Sequence, residues 1–187
     1  MCQDNKSTRL LKSLTLLLFL LVFGCGKDSS GQLYLLLINF QDVSSLDLLR
    51  GIPLTQGMFF DENSDCGYIN PDLYKMEMFL SKQCFKNYEL GNPYLPQLFV
   101  MRTNSGHSVL FFRIVSDGKC PTNSIEFKLT CPYIFEDNGE HLITTYWQHG
   151  AKTRFESLYR VTMDGKEFLI TKEESTDMHI AWIVLSN

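Results

Sequence analysis

Alanine is rare in this sequence. The chain has two alanines among 187 residues, against 14 phenylalanines and eight tyrosines. Because alanine is the best helix former and aromatic residues are enriched in strands, this composition favours a protein rich in β-sheet. The length allows one domain with a sizeable hydrophobic core, and we expect one domain.

Positive charge is also limited. Lysine and arginine total 17 against 21 aspartates and glutamates, which leaves a formal net charge of -4. The basic residues are scattered and form no stripe along the sequence. Since proteins grip phosphate backbones with clustered basic side chains, we do not expect a nucleic-acid partner.

Signatures of catalysis are missing as well. The sequence has no G-x-S-x-G elbow, no phosphate-binding G-x-x-x-x-G-K-[ST] loop and no H-x-x-x-H pair. His141 and His149 would share one face of a strand but lie about 27 Å apart along it, too far for one metal ion. We expect these two, His107 and His179 to be solvent-exposed residues at strand ends. No catalytic residue or cofactor is predicted, and we expect that the protein is not an enzyme.

The longest apolar run is short. It extends from Leu14 to Phe23, is interrupted only by Thr15, and follows the basic residues Lys6, Arg9 and Lys12. A run of about ten residues is half of the ~20 that a membrane-spanning helix needs. The pattern is typical of a secretory signal, so we expect residues 1–24 to be a signal peptide and the protein to be extracytoplasmic.

Two cleavage sites fit the end of this signal. Val22-Phe23-Gly24-Cys25 resembles a bacterial lipobox, apart from Phe23, and predicts lipidation of Cys25 as the first mature residue. Alternatively, an ordinary signal peptidase cleaves after Gly26. Residues 25–31 would then be a tether or a loose N-terminus, and residues 32–187 a single globular domain. Membrane contact is expected only through the lipid anchor.

Cysteine usage agrees with export. Cys66, Cys84, Cys120 and Cys131 remain after the signal, an even number suited to two disulfides in an oxidising compartment. Of the three possible connectivities we favour the local pairs Cys66–Cys84 and Cys120–Cys131. Gaps of 17, 35 and 10 residues lack the close pairs of structural zinc modules.

One acidic loop carries a weak calcium pattern. Asp61, Asn63 and Asp65 alternate, and Asp72 occupies the twelfth position of the segment. Oxygen ligands at such spacing can wrap a calcium ion. However, Cys66 stands where calcium loops place a bend glycine. An acidic surface loop is the favoured interpretation, and no metal is predicted.

The first part of the mature chain predicts a strand and two helices. Gln32 to Phe40 is almost wholly apolar and predicts a buried strand. Asp42 to Arg50 has a capping residue, spaced apolar residues and a following glycine, which predict a short helix. Asn70 to Lys86 predicts a longer one, with Asn70 as the N-cap, Pro71 at the first position and apolar residues on one face.

The second half of the chain predicts an antiparallel meander. Its alternating apolar segments are separated by turn dipeptides at Asp117-Gly118, Asn138-Gly139 and Asp164-Gly165, which favour tight hairpins. Seven strands are predicted, at residues 97–103, 107–115, 124–131, 142–148, 154–163, 167–172 and 178–185. A run of this kind avoids long exposed edges by closing into an up-and-down barrel or by forming a strongly curved sheet.

This mainly β architecture is similar to that of lipocalins and related calycin barrels, with the one or two N-terminal helices packed on the barrel. The G-x-W sequence near the first strand of many lipocalins is absent, and the longer predicted helix precedes most of the strands. The alternative is an α+β roll, in which a curved sheet cradles the helices.

Aromatic residues of the meander are the candidate ligand-lining residues. In a closed barrel they would either enclose one small hydrophobic ligand or fill the core, whereas outward-facing members would favour a protein partner. The candidates are Phe111, Phe127, Tyr146, Trp147, Phe155, Tyr159, Phe168 and Trp182. We expect a secreted or lipid-anchored, non-enzymatic protein that binds a small hydrophobic ligand in a barrel cavity. The alternative is an extracellular protein–protein interaction module with a filled core.

Overall fold

The described part of the chain is mainly β. A computed structural model describes residues 33–55, 66–79, 98–103, 105–115, 123–148, 156–172 and 178–186, and within them eleven strands form one mixed sheet. The strands are β1 (Leu33–Asp42), β2 (Leu54–Thr55), β3 (Gly67–Ile69), β4 (Lys75–Phe79), β5 (Phe99–Arg102), β6 (Ser108–Val115), β7 (Ser124–Thr130), β8 (His141–Gln148), β9 (Ser157–Met163), β10 (Lys166–Lys172) and β11 (His179–Leu185). A 3-10 helix spans Pro71–Leu73 and a short helix, α1, spans Pro132–Phe135.

The seven strands predicted for the second half are confirmed as β5 to β11, with ends shifted by a few residues. Their order in space differs from a simple meander. The sheet order is β2-β3-β5-β6-β1-β11-β10-β9-β8-β7-β4, so that β7 to β11 follow one another as antiparallel neighbours and β5 and β6 form a separate antiparallel pair. β1 separates β6 from β11 and runs parallel to β11.

The central position of β1 follows from its composition. The sequence predicted this strand, and every residue from Tyr34 to Phe40 is buried. A strand that is apolar on both faces lowers its free energy most where both faces are covered, which is the middle of a sheet.

The sheet rolls strongly upon itself. The rings of Tyr34 on β1 and Trp147 on β8 meet edge to face with centroids 5.2 Å apart. Those strands are four positions apart in the sheet order, a distance of about 19 Å in a flat sheet. The order nevertheless ends at β2 and β4, which do not pair with each other in the described residues. The predicted calycin-type closure is therefore wrong for this part of the chain, and the sheet is curved but open.

Large side chains fill the inside of the curve. Trp147, Tyr34, Phe40 and Phe127 are the largest of the fully buried side chains. Phe40 also meets Phe135 of α1 edge to face at 5.6 Å. Burial of each such side chain contributes about 1.5–3 kcal/mol to folding.

The predicted helix from Asp42 to Arg50 does not form. Asp42 Oδ1 accepts hydrogen bonds from the backbone N–H groups of Ser44 and Leu46, both at 2.8 Å. Ser45 has a positive φ of 66°. The carboxylate thus stabilises a local turn in competition with helical hydrogen bonds, and the segment is a loop.

The predicted helix from Asn70 to Lys86 is wrong over its described part. Asn70 does act as a cap, since its side chain accepts the N–H of Asp72 at 3.1 Å. The turn that it caps is only the 3-10 helix, and the chain continues as β4, paired with β7. Met76 and Met78 alternate with exposed residues, which is the period of a strand. Residues 80–86 lie outside the described residues.

The predicted hairpin turn is confirmed at Asp164-Gly165. Asp164 and Gly165 have φ values of 52° and 80° and join β9 to β10 directly, as a two-residue hairpin requires. Asn138-Gly139 does not form a simple hairpin, because α1 intervenes between β7 and β8. Asp117-Gly118 lies outside the described residues.

Candidate interaction surface and end cleft

The predicted ligand-lining residues divide between the two faces of the sheet. Phe127 and Trp147 point inwards and are 0% and 2% exposed, as members of the core. Phe168 is partly buried and packs against the same core. Tyr146 and Trp182 lie on the outer face. Phe155 lies outside the described residues.

Four outward residues form a row across neighbouring strands. Tyr146 on β8 pairs with Arg160 on β9, and Leu169 on β10 pairs with Trp182 on β11. The pairing of Val161 with Phe168 places Arg160 beside Leu169. We call Tyr146, Arg160, Leu169 and Trp182 the outer row.

A bulge adds a fifth side chain to this surface. The register between β8 and β9 shifts after Tyr146, so that Tyr159 is an extra residue opposite β8. An extra residue in a strand re-aims the neighbouring side chains. Tyr159 and Arg160 are consequently both exposed, and the rings of Tyr159 and Tyr146 lie 6.3 Å apart.

Neighbouring groups hold the outer row in place. The guanidinium of Arg160 lies 4.9 Å from the centre of the Tyr146 ring, and its Nε donates to Glu167 at 2.9 Å. The indole Nε1 of Trp182 donates to Thr171 Oγ1 at 2.6 Å. Leu169 between them is 67% exposed. The surface thus combines ordered polar contacts with an apolar side chain in water.

The outer row continues into a second, smaller apolar cluster. Its buried members are Leu37, Val109 and Ile180, on β1, β6 and β11. Phe111 and Trp182 pack against it, and the Trp182 ring also meets the imidazole of His107 edge to face at 4.9 Å. Phe111 therefore belongs to this outer cluster, not to the interior of the sheet.

A cleft of about 580 Å³ lies at one end of the sheet. It is bounded by α1, the start of β8, the β9–β10 turn and the end of β11. Its apolar lining includes Phe135, Met163, Phe168 and Leu185, and its polar lining consists of Glu136, Asp137, His141, Asp164, Lys166 and Ser186.

His141 joins two sides of this cleft. Its Nδ1 lies 2.8 Å from Asp164 Oδ2 in the β9–β10 turn, and its Nε2 lies 3.2 Å from Asp137 Oδ1 in the turn after α1. The imidazole also stacks on Phe135, with ring centroids 4.0 Å apart. The expectation of a solvent-exposed histidine was wrong, because these groups leave the side chain only 18% exposed.

The two carboxylates control the charge of His141. Burial by itself lowers the pKa of His141, but hydrogen bonds and charge interactions with Asp164 and Asp137 outweigh burial and raise it. The pKa of Asp137 is lowered, first by the backbone N–H of Gly139 and then by His141. This site is not visible in the sequence because Asp164 lies 23 residues from His141, and only the pairing of β8 with β9 brings them together.

The other predicted sites lie largely outside the described residues. Asp72 is exposed in the 3-10 helix, whereas Asp61, Asn63 and Asp65 lie outside the described part. The signal peptide, Cys25 and His149 lie outside it too. The described residues contain no group of three or more His, Cys, Asp or Glu side chains that could hold a metal ion.

The predicted disulfides stay predictions. No disulfide is present among the described residues, but Cys84 and Cys120, one member of each predicted pair, lie outside them. Cys131 is buried at the end of β7, and its burial raises the pKa of the thiol.

Comparisons with known proteins identify no relative. Neither the protein-family models, nor the curated proteins, nor the solved structures include a match to this chain. Among the described residues, no helix has the length and apolar character needed to cross a bilayer.

Proposed function

We propose that this chain is a non-enzymatic protein–protein interaction module that binds its partner through the outer row. The observation that carries the proposal is the contrast between the faces of the sheet. Phe127 and Trp147 fill the inside, whereas Tyr146, Leu169 and Trp182 are presented outwards. As the leader sequence predicts, the module is secreted or is anchored through Cys25.

The composition of the outer row supports this role. Tryptophan, tyrosine and arginine are enriched among the residues that dominate binding energy at protein interfaces. Rigid aromatic side chains also lose little conformational entropy on binding. The contacts of Arg160 with Tyr146 and of Trp182 with Thr171 order these side chains before a partner arrives.

Charge indicates what the partner presents. Glu167 accepts a hydrogen bond from Arg160 Nε, and a guanidinium has further N–H groups on its terminal nitrogens. Those groups suit a carboxylate on the partner, and Leu169 beside them suits an apolar side chain. We therefore propose a protein partner that presents an acidic residue next to an apolar one.

The test compares two exposed leucines. Leu169 in the outer row is 67% exposed and Leu46 in the β1–β2 loop is 58% exposed, so Leu169→Asp and Leu46→Asp are matched changes. The wild-type chain is cross-linked to proteins of its own source, and the captured partner is then titrated against each variant. We expect Leu169→Asp to raise the Kd at least about tenfold and Leu46→Asp to leave it within about twofold. Equal effects of the two substitutions would refute the proposal.

A second substitution tests the charge. Arg160→Gln removes the positive charge of the outer row and keeps a hydrogen-bonding side chain. If the partner presents a carboxylate, this variant associates more slowly than the wild type at low salt, and the difference shrinks as salt is added. A variant that keeps the wild-type association rate at low salt contradicts an acidic partner.

A small ligand at the end cleft is the second candidate function. Phe127 and Trp147 are buried in the core, and a cleft of about 580 Å³ at the end of the sheet is within the usual size range of small-molecule sites. Native mass spectrometry of protein from its own source tests this candidate. A co-purifying small molecule that Phe168→Ala releases supports it, and a bare protein mass counts against it.

A further inference from the structure

We propose that His141 is a proton-controlled clasp of the end cleft, which ties the turn after α1 to the β9–β10 turn when it is protonated and releases them when it is neutral. The inference depends on the geometry of the cleft. It is independent of partner binding at the outer row, so that either proposal can fail while the other stands.

The clasp follows from the positions of the two carboxylates. Asp137 and Asp164 belong to different turns, and each contacts a different nitrogen of the same imidazole. A neutral imidazole has a hydrogen on only one ring nitrogen, whereas a protonated one has a hydrogen on both. Both contacts can therefore be hydrogen bonds to a carboxylate only while His141 is protonated.

Each carboxylate also accepts a backbone N–H, Asp137 from within its own turn and Asp164 from strand β8. Asp137 Oδ1 accepts the backbone N–H of Gly139 at 2.8 Å, and Asp164 Oδ1 accepts that of Leu142 at 2.8 Å. Movement of either carboxylate therefore changes the protection of a backbone amide. These two amides report on the state of the clasp.

In the described part of the chain, few other charged groups lie around the clasp. Glu136 follows α1, and Lys166 of β10 lies across the cleft with its ammonium 5.3 Å from the centre of the Phe168 ring. Glu140 precedes His141 and is paired with Lys128 of β7 at 2.9 Å. Asp137 and Asp164 contact the imidazole, and together they raise its pKa against the opposing effect of burial.

The direction of the pH dependence follows from the pKa shifts of His141 and Asp137. His141 has a folded-state pKa above its ordinary value of 6.5, so the clasp is fully formed below pH 6.5 and is lost as the pH rises through the raised pKa. At the acid end, the lowered pKa of Asp137 keeps that carboxylate charged down to below its ordinary value of 3.8. The clasp is therefore closed in mildly acidic solution and opens towards alkaline pH.

Amide hydrogen exchange of the full protein tests the clasp. NMR measures the exchange of Gly139 and Leu142 from about pH 5 to pH 9, a range that brackets histidine titration. After correction for intrinsic exchange, we expect both rates in the wild type to rise about two- to fivefold as His141 loses its proton. Weaker cross-relaxation between the rings of His141 and Phe135 should accompany that rise.

Three variants decide the outcome. His141→Gln should show the fast, open rates at every pH, and Asp164→Asn should weaken the pH dependence while keeping an acceptor for the Leu142 amide. His179→Gln, at the far end of β11, removes a histidine outside the cleft and should behave as the wild type. The proposal is overturned if the corrected rates of His141→Gln match those of the wild type throughout, or if His179→Gln alone abolishes the pH dependence.

Discussion

The two tryptophans of the chain make the same kind of hydrogen bond on opposite faces of one sheet. Trp147 donates its indole N–H to Thr145 at 2.8 Å inside the curve, and Trp182 donates to Thr171 at 2.6 Å on the outside. The inner pair is buried and the outer pair is solvent-exposed. A hydrogen bond from an indole N–H to a threonine hydroxyl therefore forms both in the core and at the solvent-exposed surface.

The two environments suit the two tryptophans to different roles, Trp147 to fold stability and Trp182 to recognition. Inside, the Trp147 ring packs against Tyr34, and its polar N–H has to find a partner because water is excluded. Outside, water can replace the bond of Trp182, and the ring remains accessible to another molecule. We infer that inner aromatics mainly stabilise the fold, whereas outer aromatics mainly provide a binding surface.

The largest expected effect comes from truncating the inner tryptophan. Trp147→Ala should lower the free energy of unfolding by about 3–5 kcal/mol, through lost burial and the cavity that it leaves. Trp182→Ala, the matched change outside, should cost less than half as much. Urea unfolding followed by circular dichroism measures both values, and equal losses would show that the inner and outer tryptophans contribute equally to stability.

A smaller effect is expected from the two threonines. Thr145→Val leaves the buried indole N–H without its acceptor and should cost about 1–3 kcal/mol. Thr171→Val changes a bond that water can replace, so its cost should stay within about 0.5 kcal/mol. The same urea titrations give both values. A cost for Thr171→Val as large as that for Thr145→Val would show that the outer bond is shielded from water.

The β9–β10 turn determines which residues of β10 face inwards. Because Asp164 and Gly165 form a two-residue turn, Lys166 pairs with Met163, and Phe168 lies inside while Leu169 lies outside. Gly165 has a φ of 80°, and no atom lies within 4 Å of the position that an added Cβ would occupy, so Gly165→Ala adds backbone strain without a clash. Its cost should be about 1 kcal/mol, measured as a shift of the unfolding midpoint. An unchanged midpoint would indicate that the register does not depend on this turn.

The smallest effects are expected from replacing His141 and Glu140, which form ion pairs near the cleft. His141→Gln should reduce stability most below pH 6.5, and its difference from the wild type should disappear as the pH rises through the raised pKa of His141. Glu140→Gln breaks the exposed pair with Lys128, and its effect should be small and constant across the same range. Thermal unfolding at a series of pH values measures both. A constant deficit for His141→Gln would argue against the proton-linked contact.

Local pattern predicted much of the fold. Strand β7 shows the alternation of a half-buried sheet, and Asp164-Gly165 specifies a tight turn by its backbone preferences. Local pattern was misleading at Asn70. A capping side chain followed by proline can begin either an α-helix or a single 3-10 turn, and here it begins the 3-10 turn. Pairing of β4 with β7 decided between them, and such pairing between distant segments is not encoded locally.

The sequence by itself determined strands β1 and β5 to β11 and a composition suited to a β-rich protein. Only the tertiary structure decided which aromatic side chains are inside. Tyr146 and Trp147 are adjacent and both aromatic, so either could face the core, and one residue of register reverses the choice. Trp147 is the inward residue and packs against Tyr34 of β1, and the bulge opposite Tyr146 sets the register of β9 against β8. The contact between Trp147 and Tyr34 joins segments far apart in the chain, and the pairing of β8 with β9 brings His141 to Asp164.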